Sequence, residues 1–211
     1  MSLPHFIRRC WLHLTWRLPS PYRYLCRAWF WMKGIRYDEG LDCDGALPQV
    51  FVHPKAREAS VGRNFKAYSY RDVAWYCKCS FTVLEGATFR VGDDSGMNGV
   101  MVFCMREVTI GSHVKIGGGT RIIDTDFHCV DWQKRRDAIQ DQAAKCAPVH
   151  IGDDVFIGMG CMILRGVTIG PRTIIAAGSV VTHDIPADVL AGGSPCRVIR
   201  ATLPRQNSVM P

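Results

Sequence analysis

Long apolar runs are missing from this sequence, and so is a recognisable signal peptide. No stretch of the 211 residues approaches the roughly 20 consecutive apolar residues that a membrane-spanning helix needs. The N-terminus is basic and aromatic, and it lacks a clean apolar segment followed by a small-residue cleavage site. We therefore expect a cytoplasmic protein that crosses no membrane.

Clustered cysteines are also missing, although the chain contains ten cysteines. No C-x2-C pair occurs, and the close pair Cys77 and Cys79 has no partner cluster of the kind that a zinc site requires. A reducing compartment would keep these side chains as free thiols. The sequence therefore predicts neither a metal site nor a disulfide framework.

Net positive charge is small outside the N-terminal segment. The formal net charge is +7, and residues 1–40 hold seven basic residues against two acidic ones, which places +5 of the total there. The remaining body is close to neutral, which argues against nucleic-acid binding.

Helical and simple alternating periodicity are both absent between Val149 and Thr182. Every sixth residue there is a β-branched apolar residue: Ile151, Ile157, Ile163, Ile169, Ile175 and Val181. A second column of small or β-branched residues lies two positions earlier: Val149, Val155, Cys161, Val167 and Thr173. A period of six matches neither 3.6 nor 2 residues. It is typical of a hexapeptide β-helix, whose chain turns a corner every six residues.

An earlier block has the same period, at Ile110, Ile116 and Ile122. Backward extrapolation by six places Cys104 and then Asn98 at equivalent positions. Val91 is out of register with this block, which we interpret as an insertion or bulge around residues 93–99. The coils before it, from about Leu47, are less regular.

A long interruption separates the two regular blocks. Residues 129–148 are polar, charged and without the period of six, which is typical of an excursion loop, and such loops often carry function. The sequence therefore predicts an N-terminal amphipathic helical segment over 1–46, a β-helix over 47–200 and a tail over 201–211.

The N-terminal segment has two helical patterns. The first lies within residues 1–19, and the second begins with Ser20 as N-cap and Pro21 as first residue and ends at Gly34. The second helix has an apolar stripe: Tyr22, Leu25, Cys26, Trp29 and Phe30. One interpretation is that these helices pack on the β-helix as a cap. The other is peripheral membrane contact through residues 1–34, with aromatic residues facing lipid and arginines facing anionic headgroups.

The segment from Asp124 to His128 ends the earlier block and enters the excursion loop. In an extended chain, Asp124, Asp126 and His128 project to the same side. His128 is a candidate general base at neutral pH, and either aspartate is a candidate for orienting its ring.

Three pieces of the chain resemble the hexapeptide-repeat acetyltransferases of the galactoside, maltose, Nod-factor and polysaccharide O-acetyltransferase group. The pieces are Gly96-Met-Asn98-Gly, the segment from Ile116 to His128, and the segment from Ile163 to Arg200. The resemblance covers roughly residues 50–200. It implies a mainly β fold, a left-handed parallel β-helix, and a homotrimer with active sites between subunits.

The resemblance also assigns roles to individual residues. It makes His128 the catalytic histidine and places Asn98 near it across the subunit interface, in contact with the substrate. An acetyl-CoA groove is expected along the later coils: Met159, Ala177, Thr182, His183, Arg197 and Arg200. No metal is expected. The chain departs from the family pattern at Cys129, where proline is usual, and at His183, where lysine is common.

The function expected from this resemblance is O-acetylation of a sugar or glycan, such as a surface polysaccharide. A lipid-carried glycan at the inner membrane face would suit the basic N-terminal segment. N-acetylation of an amino sugar, serine acetylation and a non-catalytic scaffold remain alternatives on the same fold. A γ-class carbonic anhydrase would need closely spaced zinc-ligand histidines, a spacing that His113, His128 and His150 do not have.

Overall fold

Short strands make up most of the computed structural model, which describes residues 21–69, 77–141 and 144–202. The chain passes through three sheets in turn, so that each complete coil adds one strand to each sheet. This architecture is a left-handed parallel β-helix. It confirms the β-helix predicted from the period of six and the handedness implied by the family resemblance.

The three sheets are parallel throughout, apart from one antiparallel pair at the C-terminal end. In spatial order the first sheet contains β1 (Arg36–Tyr37), β4 (Glu58–Val61), β7 (Thr88–Val91), β10 (Glu107–Ile110), β13 (Val149–Ile151) and β16 (Thr168–Ile169). The second contains β2 (Asp42–Gly45), β5 (Lys66–Ser69), β8 (Gly96–Asn98), β11 (Lys115–Ile116), β14 (Phe156–Ile157), β17 (Ile174–Ile175), β19 (Val189–Gly192) and β20 (Arg197–Ala201). The third contains β18 (Val180–Val181), β15 (Met162–Ile163), β12 (Arg121–Ile123), β9 (Met101–Cys104), β6 (Ser80–Val83) and β3 (Gln49–Val52).

The residues at intervals of six form the core. Ile151 pairs with Ile169 in the first sheet, and Ile157 pairs with Ile175 in the second. Each of these four side chains is at most 3% exposed. Burial of one such side chain stabilises the fold by about 1.5–3 kcal/mol, so the period of six directly records where the core lies.

The earlier coils depart from this period, but not in the way that the sequence suggested. The spacing between inward residues remains six from Val91 to Met97, falls to five from Met97 to Val102, and rises to eight from Val102 to Ile110. The extra residues therefore lie at the corner between β9 and β10, and the predicted insertion at 93–99 is wrong. Met97, not Asn98, faces the core, because one residue fewer separates β8 from β9.

Helix α1 (Pro21–Met32) covers the N-terminal end of the β-helix. Cys26 and Phe30 are fully buried, and the Phe30 ring meets Phe81 with 6.3 Å between centroids. Leu25, placed in the apolar stripe by its spacing, is instead 52% exposed. The helix predicted within residues 1–19 lies outside the described part of the chain.

A disulfide links Cys26 of α1 to Cys43 of β2. The prediction of free thiols is therefore wrong for these two cysteines, which sequence spacing alone did not bring together. Strands β1 and β2 also extend the sheets to Arg36, on the N-terminal side of the boundary predicted at residue 46. No helix within the described ranges is long and apolar enough to cross a membrane.

Candidate active site

His128 stands where the chain leaves the β-helix. The third sheet's β12 ends at Ile123, and Phe127 then adopts a left-handed backbone conformation with φ of 61°. This residue turns the chain, so the extended geometry assumed for residues 124–128 does not occur. The His128 side chain is 68% exposed, which leaves its ring accessible to a substrate.

Asp141 holds the His128 ring. This residue ends α3 (Ala138–Asp141), which follows α2 (Trp132–Arg135) in the excursion loop. Its Oδ2 lies 2.6 Å from His128 Nδ1, and its Oδ1 accepts the Cys129 amide N–H at 2.8 Å. Both hydrogen bonds hold the pKa of the Asp141 carboxyl below its usual range, and the one with His128 is the larger cause. One carboxylate thus fixes both the ring and the backbone beside it.

The two aspartates expected to orient His128 have other contacts. Asp124 is fully buried and accepts the backbone N–H groups of three consecutive residues, Met105, Arg106 and Glu107, at 2.6–2.8 Å. Burial raises the pKa of this carboxyl, and the three N–H donors oppose that rise. Asp124 therefore secures the enlarged corner between β9 and β10.

Asp126 forms an ion pair with Arg165, with 2.6 Å between its Oδ1 and the arginine Nε. The expected partner of His128 is thereby corrected from Asp124 or Asp126 to Asp141. The sequence contained a signal for Asp141 only in that it is an acid within the interrupted segment.

Asn98 lies on the outer face of the second sheet. Side chains alternate along a strand, and Met97 is buried, so Gly96 and Asn98 of β8 both face outward. Asn98 is paired in register with Tyr68 of β5, and both residues line a hollow of about 370 Å³. No hydrogen bond joins Asn98 to His128 within the described chain.

Met159 and Ala177 lie on neighbouring coils at the corner between the second and third sheets. The Gly178 N–H donates to the Met159 carbonyl at 2.8 Å. Gly158 allows this close stacking, because a methyl group at that position would lie 2.5 Å from the Ala177 nitrogen. No acceptor for the Met159 N–H occurs among the hydrogen bonds of the described residues, and the Met159 side chain is half exposed.

The other expected acetyl-CoA residues lie farther along the chain. His183 and Arg197 line a shared depression of about 280 Å³, and the Thr182 hydroxyl lies 2.8 Å from His183 Nδ1. Arg197 and Arg200 each donate to a carbonyl of their own strand region. The structure thus places the expected residues in separate groups: Met159 lies near Ala177, and Thr182 and His183 lie near Arg197. Arg200 lies on β20 outside both groups.

Metal-ligating side chains do not converge within residues 21–69, 77–141 and 144–202, where no group of three or more His, Cys, Asp or Glu side chains could hold an ion. His150 Nδ1, for example, lies 2.6 Å from the Thr109 hydroxyl. The parallel β-helix and its exposed His128–Asp141 pair are compatible with the hexapeptide-repeat class expected from the sequence.

Comparisons with known proteins agree with that class. Residues 148–183 match the family model described as bacterial transferase hexapeptide (six repeats). A candidate acetyltransferase of Saccharomyces cerevisiae is 35% identical over 178 residues, which cover 79% of this chain and 88% of that protein. The galactoside O-acetyltransferase of Escherichia coli is 43% identical over 93 residues, 44% of this chain. The match spans 42% of that relative's length.

A hexapeptide-repeat acetyltransferase of Vibrio cholerae has been solved in complex with acetyl-coenzyme A. It superposes with a TM-score of 0.50 and 40% identity, covering 55% of this chain and 61% of that one. A second structure of it superposes with a TM-score of 0.56 and 29% identity, covering 92% and 86%. The present chain belongs to the hexapeptide-repeat acetyltransferases. It is an acetyl-CoA-dependent acyltransferase, with acetyl-CoA as co-substrate.

Replacement of His128 by alanine should raise the pKa of Asp141 toward its ordinary value, because the hydrogen bond from His128 is the main cause of its lowering. A carbon-13 NMR titration of the carboxyl groups measures this change. Asp137 provides the control, since its carboxylate accepts hydrogen bonds from the nearby residues Ile139 and Gln140. An unchanged Asp141 pKa would contradict the contact between Asp141 and His128.

Proposed function

We propose that this chain transfers the acetyl group of acetyl-CoA to a hydroxyl group of a sugar or glycan, with His128 as general base. The observation that carries this proposal is the His128–Asp141 pair. Asp141 engages Nδ1 of an exposed ring, which leaves Nε2 free to accept a proton. A carboxylate at Nδ1 also favours the tautomer with its proton on that nitrogen.

In the proposed reaction, His128 Nε2 removes the hydroxyl proton as the oxygen attacks the thioester carbonyl. The imidazolium that forms is stabilised by the Asp141 carboxylate. The Met159 N–H, which has no acceptor among the hydrogen bonds of the described residues, is our candidate donor to the oxyanion of the tetrahedral intermediate. Collapse of this intermediate breaks the C–S bond, and His128 returns its proton to the coenzyme A thiolate.

A trimer completes the proposed site. Asn98 and His128 lie on different parts of one chain, on the outer face of the second sheet and in the excursion loop. The family resemblance places Asn98 beside the histidine of a neighbouring subunit, and closed cyclic assemblies of this kind repeat such an interface at every subunit. Orientation of both substrates at that interface would supply much of the remaining acceleration. We keep Thr182, His183, Arg197 and Arg200 as candidate contacts to coenzyme A.

The His128→Ala variant should fold and assemble like the parent protein but turn over at least about 10²-fold more slowly, because it lacks the general base. Thiol release from acetyl-CoA, measured across a panel of sugar, glycan and amine acceptors, gives the rate. His53→Ala is the matched control, since His53 is a surface histidine whose Nδ1 accepts the Lys55 N–H. Near-normal turnover by His128→Ala would exclude His128 as the base.

Helix α1 supports a second part of the proposal, contact with the cytoplasmic face of a membrane. At 100° per residue, its exposed apolar side chains fall on one face: Tyr24, Leu25, Trp31 and Met32. Arg27 lies beside this face, over the Tyr24 ring, and the helix contains no acidic residue. Aromatic residues flanked by cations suit the interface of an anionic bilayer.

Substitution of both Leu25 and Trp31 by glutamate should abolish sedimentation with anionic vesicles, because it places charge on the face that meets lipid. Point variants are preferable to removal of residues 1–34, since removal would delete Phe30 and expose the buried ring of Phe81 that it contacts. Phe51→Glu is the control, because Phe51 is equally exposed but lies on the third sheet. Parent protein that stays in solution with phosphatidylglycerol vesicles would rule out the contact.

A further inference from the structure

The hollow around Asn98 has a chemical character of its own. Four neighbouring strands of the second sheet, β5, β8, β11 and β14, contribute outward residues to it. Gly96 and Gly117 present no side chain, so the sheet backbone forms the floor. Larger outward side chains surround this floor: Lys66, Tyr68, Asn98, Lys115 and Phe156. The hollow is thus a shallow depression whose edge is formed by polar and aromatic side chains.

Two lysines face each other across Gly96. Lys66, Gly96 and Lys115 are consecutive in the ladder of paired strands. A methyl group at Gly96 would lie 3.7 Å from Lys66 Cβ and 3.9 Å from Lys115 Cδ, so any side chain there would fill the gap. The two lysine side chains thereby flank an open position near Asn98.

No carboxylate pairs with either lysine within the described parts of the chain. Lys66 and Lys115 take part in none of the ion pairs found there, and Lys115 Nζ donates to the Asp94 backbone carbonyl at 2.7 Å. The same two lysines also line an adjoining depression of about 630 Å³.

The acids of that adjoining depression already have partners. Asp42 pairs with Arg23 at 3.4 Å, and Asp94 accepts the Asn64 amide at 2.9 Å. Arg23 and His113 also line this depression. The Asn64 amide is neutral and leaves Asp94 charged, so Arg23, Lys66 and Lys115 exceed the two acids by one positive charge, which is left for a ligand.

Phe156 gives the edge of the hollow an apolar side. It is paired in register with Lys115 and is 50% exposed. An exposed aromatic ring beside polar groups suits the apolar face of a sugar ring, with hydroxyl groups directed to Asn98 and Tyr68. The cations suit an anionic substituent on the same ligand.

We propose that this hollow binds an acceptor sugar that carries a carboxylate or a phosphate group, recognised by Lys66 and Lys115. The proposal deepens the function proposed above and rests on it, since it names the charge class of the acceptor. Lys66 and Lys115 would determine specificity, and Asn98 would orient the sugar toward the histidine.

Direct binding measurements test the charge preference without depending on catalysis. Affinities for glucose, glucuronate and glucose 1-phosphate, measured by NMR titration of the full chain, compare neutral and anionic ligands of the same ring. At least one anionic sugar should bind about tenfold or more tightly than glucose. The preference should shrink at about 1 M salt, where screening is strong. Tighter binding of glucuronate would indicate an acceptor with a carboxylate, and tighter binding of glucose 1-phosphate would indicate an acceptor with a phosphate group.

The double variant Lys66→Met, Lys115→Met should lose the preference and bind all three sugars with similar affinity. The Gly96→Leu variant fills the gap without a change of charge, and it should also lower the affinity for the anionic sugars. Lys55→Met is the control, since Lys55 is an exposed lysine that pairs with Glu85 at 3.4 Å. Equal affinities for the three sugars in the parent protein, or no measurable binding of any, would overturn the proposal. Calorimetry with coenzyme A tests the acetyltransferase function separately.

Discussion

The whole structure depends on the stacking of inward side chains along the axis of the β-helix. Each coil must return an apolar residue to the same line, as Ile151 and Ile169 do in the first sheet and Ile157 and Ile175 do in the second. Inward positions are therefore fixed by close packing. Outward positions carry no such constraint, which is why the candidate ligand contacts all lie on outer faces, corners or the excursion loop.

The long interruption is tolerated because it starts and ends at one place in this stack. Asp124 secures the corner with three backbone N–H groups, and the Ala147 N–H donates to its carbonyl at 3.0 Å. Thr125 and Cys146 form an isolated bridge just beyond. The loop can therefore carry His128 and Asp141 outside the β-helix without disturbing the coils on either side. A rigid frame of this kind positions a catalytic group well.

The sequence predicted the regular part of the fold well, because a period of six is a local pattern that each coil repeats. It wrongly placed an insertion at residues 93–99, because a shortened corner between β8 and β9 and an enlarged one between β9 and β10 nearly compensate in residue number. The Cys26–Cys43 disulfide and the His128–Asp141 contact were not predicted, for another reason. Both join residues that are distant in sequence and follow no period, so only the folded chain brings them together.

The central claim is that one active site takes His128 from one subunit and Asn98 from its neighbour. Co-expression of the His128→Ala and Asn98→Ala chains tests it most directly. In randomly mixed trimers about one quarter of the interfaces would keep both residues, so the mixture should recover about that fraction of the parent turnover while each variant alone stays inactive. A mixture as inactive as the separate variants would contradict a shared site.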